Sequence, residues 1–365
     1  MGLLCYECAK LLMEKNGQDA CSKEPLSCLL ALCGDIHISL LTTKINEENK
    51  QENKQENNEF TIDHIINENE LLEILENLCE DEILEEYRWS YGAAINFDNN
   101  IEDRLKLSLR CYEEALVQFN SKHKTVESHP VIGLIERLKR RFGSISNELG
   151  LFLMNTALKE FNEMADHPLT ESQVSKLDSL IKKSNGYFDR SLDVFKSVDD
   201  KVNIALVLSN TGRLMRTCAH IFAPHNRTNQ MNNEFSTKEK HFYTKAASYY
   251  QSALDQLTPD DAHPEQIEIY NNITWDLCTA YFTIGYLMQD FAPLSTLAYE
   301  TVEKLIIDYF TKSLNLCSNG EKMDSKRAPL YQYREAIVNH RLASLHHNSY
   351  RNSVSKFILI LITIY

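Results

Sequence analysis

The sequence predicts an all-α fold, a right-handed array of antiparallel helical hairpins (an α-solenoid) with a disordered acidic insert rich in Asn, Glu and Lys. Three observations predict it. A motif of aromatic-x-x-small-Leu recurs four times: Tyr112, Ala115 and Leu116; Phe188, Ser191 and Leu192; Tyr250, Ala253 and Leu254; Phe310, Ser313 and Leu314. Each copy sits in an apolar pattern of helical period, which argues for stacked repeats rather than one central core. Finally, 11 Gly and 8 Pro in 365 residues are too few for a hairpin-rich β fold, while 43% hydrophobic content suffices for stacked helices.

Charge and cysteine usage narrow the function classes. Of the net charge of −14, the stretch from Asn46 to Glu86 carries nearly all, with fifteen acidic residues against Lys50 and Lys54. The remainder has no field that would gather nucleic acid by charge alone, so no direct nucleic-acid binding is expected. Ten cysteines at helix-compatible positions read as buried thiols in a reducing compartment. The start, MGLLCYECAKLLMEK, lacks the basic flank and cleavage site of a signal peptide, and Tyr6 departs from the myristoylation pattern.

Residues 1–43 are expected to form short helices, the clearer one in LSCLLALCGDIHISLL from Leu26 to Leu41. Cys5 and Cys8 make a CxxC followed by Cys21, Cys28, Cys33 and His37, but a second paired set is missing, so these read as core-facing thiols and no metal site. Residues 44–59 form the insert. Its NEENKQENKQENNE stretch has no aliphatic or aromatic residue and cannot offset chain entropy by burial. Residues 60–130 read as an acidic helical region with the first clear repeat copy, its acids a solvated face rather than an activation surface. There Tyr91 to Ala94 would let helices cross closely.

Residues 131–352 form the repeats proper. A helix is expected from Val131 to Glu163, with Leu134, Leu138, Phe142, Ile145, Leu149, Phe152 and Thr156 on one stripe and RLKRR (Arg137 to Arg141) as a basic flank rather than an import signal. Gly150 and Gly212 stand 62 residues apart, as do Phe188 and Tyr250, so two successive hairpins share one register. This residue logic, a small residue mid-helix and an aromatic-small set on its partner, is that of the tetratricopeptide repeat with extended spacing. The extra length is assigned to loops at Asp166 to Ser175 and Pro224 to Thr237. A third hairpin begins at Pro264, turns at Asp290 to Ser295 and runs to Cys317; Ser318 to Pro329 reads as a linker. The last helix, Leu330 to Tyr350, is expected to turn Ala336, Ala343 and His346 inward. Residues 353–365 make an atypical apolar tail, too short to span a bilayer, and Val354-Ser355 suggests an in-frame read-through of a splice donor.

NTGRLMR (Asn210 to Arg216), YFTIGYLMQDFAPLS (Tyr281 to Ser295), YREAIVNHRLASLHH (Tyr333 to His347) and RLKRRFG with NELG (Arg137 to Gly150) resemble the erythroid differentiation-related factor family over about Val131 to Asn352. The resemblance implies a truncated member, tetratricopeptide-like repeats without a catalytic site, a nuclear location, and a role in positive regulation of transcription.

The candidate site lies on the first helices of hairpins, which line the concave face of such arrays. Ala205, Leu208, Gly212, Met215 and Ala219 form a buried stripe, leaving Asn210, Arg213 and Arg216 on an adjacent face with guanidinium forks suited to carboxylates. His340, Arg341 and His347 occupy corresponding places on the last helix, and the two sets are expected to share one electropositive groove. No P-loop, GxGxxG or His-Glu-x-x-His is present, so no enzyme, cofactor, metal or small-molecule substrate is expected. The functional expectation is a non-enzymatic scaffold for proteins or peptides, transcription-related and nuclear. The alternative is a cytosolic co-chaperone or adaptor taking acidic C-terminal peptides.

Overall fold

The structure is a computed structural model that describes residues 30–35, 38, 101–122, 129–164, 169–223, 235–257, 264–291 and 298–364. These are helix apart from the turns that join them, with no strand among them. After a short helical stretch at residues 30–35 come α1 (Ile101–Lys122), α2 (His129–Glu163), α3 (Glu171–Ser197) and α4 (Lys201–Ile221). They are followed by α5 (Thr237–Leu254), α6 (Pro264–Asp290), α7 (Tyr299–Met323) and α8 (Ala328–Ile364). The expected insert, the CxxC of Cys5 and Cys8, the acidic stretch up to residue 100 and the Asn-rich stretch 224–234 lie outside the described residues.

Local chemistry sets the helix ends. Thr170 and Gln173 form a reciprocal capping box at α3: the Gln173 amide donates to Thr170 Oγ1 at 3.4 Å and the Thr170 amide to Gln173 Oε1 at 2.8 Å. Asp200 caps α4 by accepting from the Asn203 amide, and Ser236 caps α5 by accepting from the Glu239 amide. Between α3 and α4 the chain turns through Asp199, whose φ of 48° is the left-handed conformation that ends helices and that Asp tolerates better than most residues.

The chain divides into two compact units, Met1–Phe152 with Asp189–Asp199, and Leu153–Phe188 with Asp200–Tyr365. In the first, α1 seats on residues 30–35. Ser108 Oγ donates to the Gly34 carbonyl at 3.1 Å, and Tyr112 OH donates to Asp35 at 2.6 Å. The same device joins α3 to α2, where Ser191 Oγ donates to the Gly143 carbonyl at 2.7 Å. In both places a ring one turn further along, Tyr112 or Phe195, lies flat against the glycine.

In the second unit α4 packs on α5, α5 on α6, α6 on α7 and α7 on α8. Helix α4 is buried over most of its surface, including the predicted stripe Ala205, Leu208, Gly212, Met215 and Ala219. A Cβ on Gly212 would stand 2.7 Å from Tyr250 Cε1, and one on Gly285 would stand 2.8 Å from Phe310 Cε1. These rings therefore occupy the space a side chain would need, and helix axes approach closely there. Tyr112, Ala115, Gly150, Phe188, Ser191, Gly212, Tyr250, Ala253, Phe310 and Ser313 are all buried, while three of the four motif leucines are only partly so. Phe188, Tyr250 and Phe310 are wholly enclosed, and truncating any of them to Ala costs about 3–5 kcal/mol.

Two expectations fail at the C-terminal end. Ser318 to Met323 is not linker but the last turns of α7, and only residues 324–327 separate it from α8. Asp324 makes this tight turn possible, its carboxylate accepting the amides of Lys326 and Arg327 at 3.1 and 3.3 Å. The inner stripe of α8 is also different. Ala336, Ala343 and His346 are exposed, and Tyr331, Val338 and Leu345, at spacings of seven, are the buried positions. Bulk rather than smallness marks the inward face here, because Tyr331 packs against Gly320 on α7 and Val338 and Leu345 fill the apolar core around Phe310. Helix α8 continues without a break through the expected tail to Ile364. Among the described residues no helix is long and apolar enough to cross a membrane.

Candidate functional site

Arg213 and Arg216 leave α4 three residues apart on its less buried side. Both reach the same carboxylate on α6: Arg213 Nε lies 3.1 Å from Asp276 Oδ2, and Arg216 Nη1 lies 3.1 Å from Asp276 Oδ1. Asp276 is only 16% exposed, against 46% for Arg213, so the acid forms the floor and Arg213 the rim. Burial works against the Arg216 charge, but Tyr250 and Asp276 outweigh it and hold the guanidinium pKa above its ordinary value. Around these groups lies a hollow of about 580 Å³, lined also by Asn162 of α2, His220 of α4, Tyr243 of α5 and Thr283 of α6. Two guanidinium groups against one carboxylate leave a positive charge in excess. A carboxylate from outside can use the Arg213 donors that Asp276 does not occupy.

Asn210, expected on the same face, is instead buried at 6% exposure and does not reach the hollow's surface. The helix turns it inward because α4 is covered on more sides than a single stripe allows.

His340 and Arg341 belong to a second hollow of about 600 Å³, with Gln289, Asp290, Ser344 and Asn348. Here the charges close on themselves. Arg341 forks onto Asp290 at 2.8 and 3.2 Å, donates to Gln289 Oε1 at 3.1 Å, and lies over the Tyr286 ring at 4.3 Å. Gln289 Nε2 returns a bond to the Arg341 carbonyl. His347 is exposed and lines neither hollow. The single groove expected from the sequence is therefore two hollows. Arg341 pins α8 to α6, as does Arg334, whose guanidinium lies 4.2 Å from the Phe282 ring centre.

Asp276 was missed by the sequence reading, although a signal was there. It is the sole charged residue between Glu268 and Asp290, and a lone charge inside such a long uncharged stretch of helix needs a partner. Among the described residues no group of three or more His, Cys, Asp or Glu is placed to hold a metal ion.

A family profile described as "Erythroid differentiation-related factor 1-like, TPR repeats" matches residues 138–357, more than half of the chain. The chain belongs to this family. The mouse and human proteins named Erythroid differentiation-related factor 1 are each 36% identical to it over 90% of its length. The chain spans about a quarter of the length of these relatives, 24% of each. Among solved structures, a computationally designed self-assembling cyclic homo-oligomer overlaps 76% of this chain and 97% of its own at 11% identity, with a TM-score of 0.31, too slight a likeness to bear on the fold. The family's tetratricopeptide repeats are an interaction fold, and the matched residues include Arg213, Arg216, Asp276 and Arg341.

Proposed function

We propose that this chain is the partner-holding part of a nuclear scaffold that supports positive regulation of transcription, and that the hollow over Asp276 receives an acidic group of the partner. The observation that carries the reading is the imbalance at that hollow: Arg213 and Arg216 share one carboxylate, and Arg213 stays 46% exposed. The nuclear and transcriptional part rests on what the resemblance to the erythroid differentiation-related factor family implies, and the match to that family's profile supports the resemblance. The repeat scaffold supports the holding part, because stacked hairpins present fixed side chains over a long surface.

The test uses two substitutions with opposite expected signs. Arg213→Gln removes the exposed fork and should weaken capture of partners from nuclear extract at least several-fold, with the melting temperature nearly unchanged because an exposed pair contributes about 0–1 kcal/mol. Asp276→Asn removes the competing carboxylate and should strengthen capture. Both responses should shrink at high salt. If neither variant alters capture, the hollow is not the docking point. Recovery of chaperones with acidic C-terminal peptides from cytosol, and nothing from nuclei, would favour the adaptor reading instead.

A further inference from the structure

We propose that Cys278 on α6 and Cys317 on α7 are a redox-active dithiol that a hydroperoxide closes to a disulfide, pinning the two helices together. The sulfur atoms lie 3.4 Å apart, in hydrogen-bond contact, with both residues essentially unexposed. A disulfide needs about 2.0–2.1 Å, so the sulfurs must close by little more than an ångström. The packing favours closure, since the helices are already held at this level by Ser313 Oγ donating to the Cys278 carbonyl at 3.2 Å.

The two thiols are not equivalent. Cys317 as a hydrogen-bond partner holds the Cys278 thiol pKa below its ordinary value against the effect of burial, with help from Ser313 and the Arg334 charge. The Cys317 thiol pKa is raised, first by its bond to Cys278 and then by burial. The direction of these shifts favours Cys278 as the attacking sulfur, while in the contact between them either sulfur can be the donor. By contrast, burial pushes the lone Cys218 thiol up to about 12, where almost none is thiolate.

The steps balance. The Cys278 sulfur attacks one peroxide oxygen, the O–O bond breaks, and the departing oxygen takes a proton to leave as water, giving a sulfenic acid on Cys278. The Cys317 sulfur then attacks the Cys278 sulfur, the S–O bond breaks, an S–S bond forms, and the hydroxyl leaves as a second water with the Cys317 proton. Two thiols lose two electrons and two protons, and hydrogen peroxide accepts them.

The consequence extends beyond the pair. Tyr331 of α8 packs on both cysteines, and its ring meets Trp275 edge-on at 5.0 Å between centres. Drawing the sulfurs together moves the floor under Tyr331, so Trp275 fluorescence should report the oxidation.

The experiment treats the reduced full chain with stoichiometric hydrogen peroxide and maps peptides without reduction. A Cys278–Cys317 cross-linked peptide two mass units lighter than its parts, formed faster than any product at Cys218, is expected. It should come with a higher melting temperature that a phosphine reductant reverses. Cys317→Ser should stop at sulfenic acid on Cys278, trapped by dimedone, and lose the melting shift, while Cys218→Ser keeps it. If Cys317→Ser does not fold, Cys317→Ala and the wild-type peptide map serve. Oxidation of other cysteines while this pair stays reduced, or a mixture of disulfides with no preference for it, would overturn the proposal.

Discussion

At the residue scale the defining event is a ring pressed on a glycine. A methyl group at Gly212 meets Tyr250 at 2.7 Å, whereas one at Gly186 meets nothing within 4 Å. Two effects compete in a Gly→Ala change on a helix: reduced unfolded-state freedom stabilises by about 0.4–1 kcal/mol, and overpacking destabilises by about 1–3 kcal/mol. Overpacking wins at Gly212 and the entropy gain wins at Gly186. Gly212→Ala should lower unfolding free energy in urea, Gly186→Ala should raise it, and Tyr250→Leu should recover part of the Gly212→Ala loss. Tyr250 carries a second prediction. Its buried hydroxyl makes no hydrogen bond of normal geometry, and burial pushes its phenol up to about 12, with Arg216 opposing and Asp276 adding. The folded state therefore binds this proton more tightly than the unfolded chain, whose phenol titrates near 10. That contribution is complete below pH 10 and is lost as pH rises through 12. Tyr250→Phe should be nearly neutral at pH 7 and should flatten the fall in melting temperature between pH 10 and 12. Tyr250 and Gly212 were both legible in the sequence, because a ring and a missing side chain leave plain marks. Asp276 was not read as their neighbour, since pairing between α4 and α6 follows no local spacing.

At the element scale α8 shows what periodicity can mislead about. Its alanines suggested an inner stripe, yet Tyr331, Val338 and Leu345 face inward and the alanines face out. Small residues mark a close crossing only where a partner ring is supplied, and on α8 the ring comes from α8 itself, pressed on Gly320. The Ser318 to Pro329 stretch reads as a linker for a related reason. Gly320 and nearby polar residues resemble a linker, although Gly320 is a socket within α7. The helix is further held by Arg334 over Phe282 and by Arg341 over Tyr286 and forked onto Asp290. Arg341→Met discards the guanidinium over Tyr286 together with three charge-assisted hydrogen bonds. It should cost about 1–3 kcal/mol by chemical denaturation, while His340→Ala, exposed one residue away, should stay within about 0.5 kcal/mol.

At the scale of the whole molecule, the motifs that carry the family resemblance are largely the parts that grip one another. NTGRLMR supplies Gly212 for Tyr250 and both arginines for Asp276, and YFTIGYLMQD supplies the rings, amide and acid that YREAIVNHR holds through Arg334 and Arg341. The resemblance therefore reports packing, and the acid under the arginines adds the chemistry. Because repeats couple to their neighbours rather than to one core, damage should stay local. Gly285→Ala should speed amide exchange across α6, α7 and α8 and leave α1 as protected as before, measured by hydrogen exchange with mass spectrometry. Socket and ring also constrain descent. A lineage that places any side chain at residue 212 must first, or at once, shrink residue 250, because the intermediate with both is penalised. Across homologues these two columns should drift as a linked pair, and residues 285 and 310 as another, even where the rest of both helices has been rewritten.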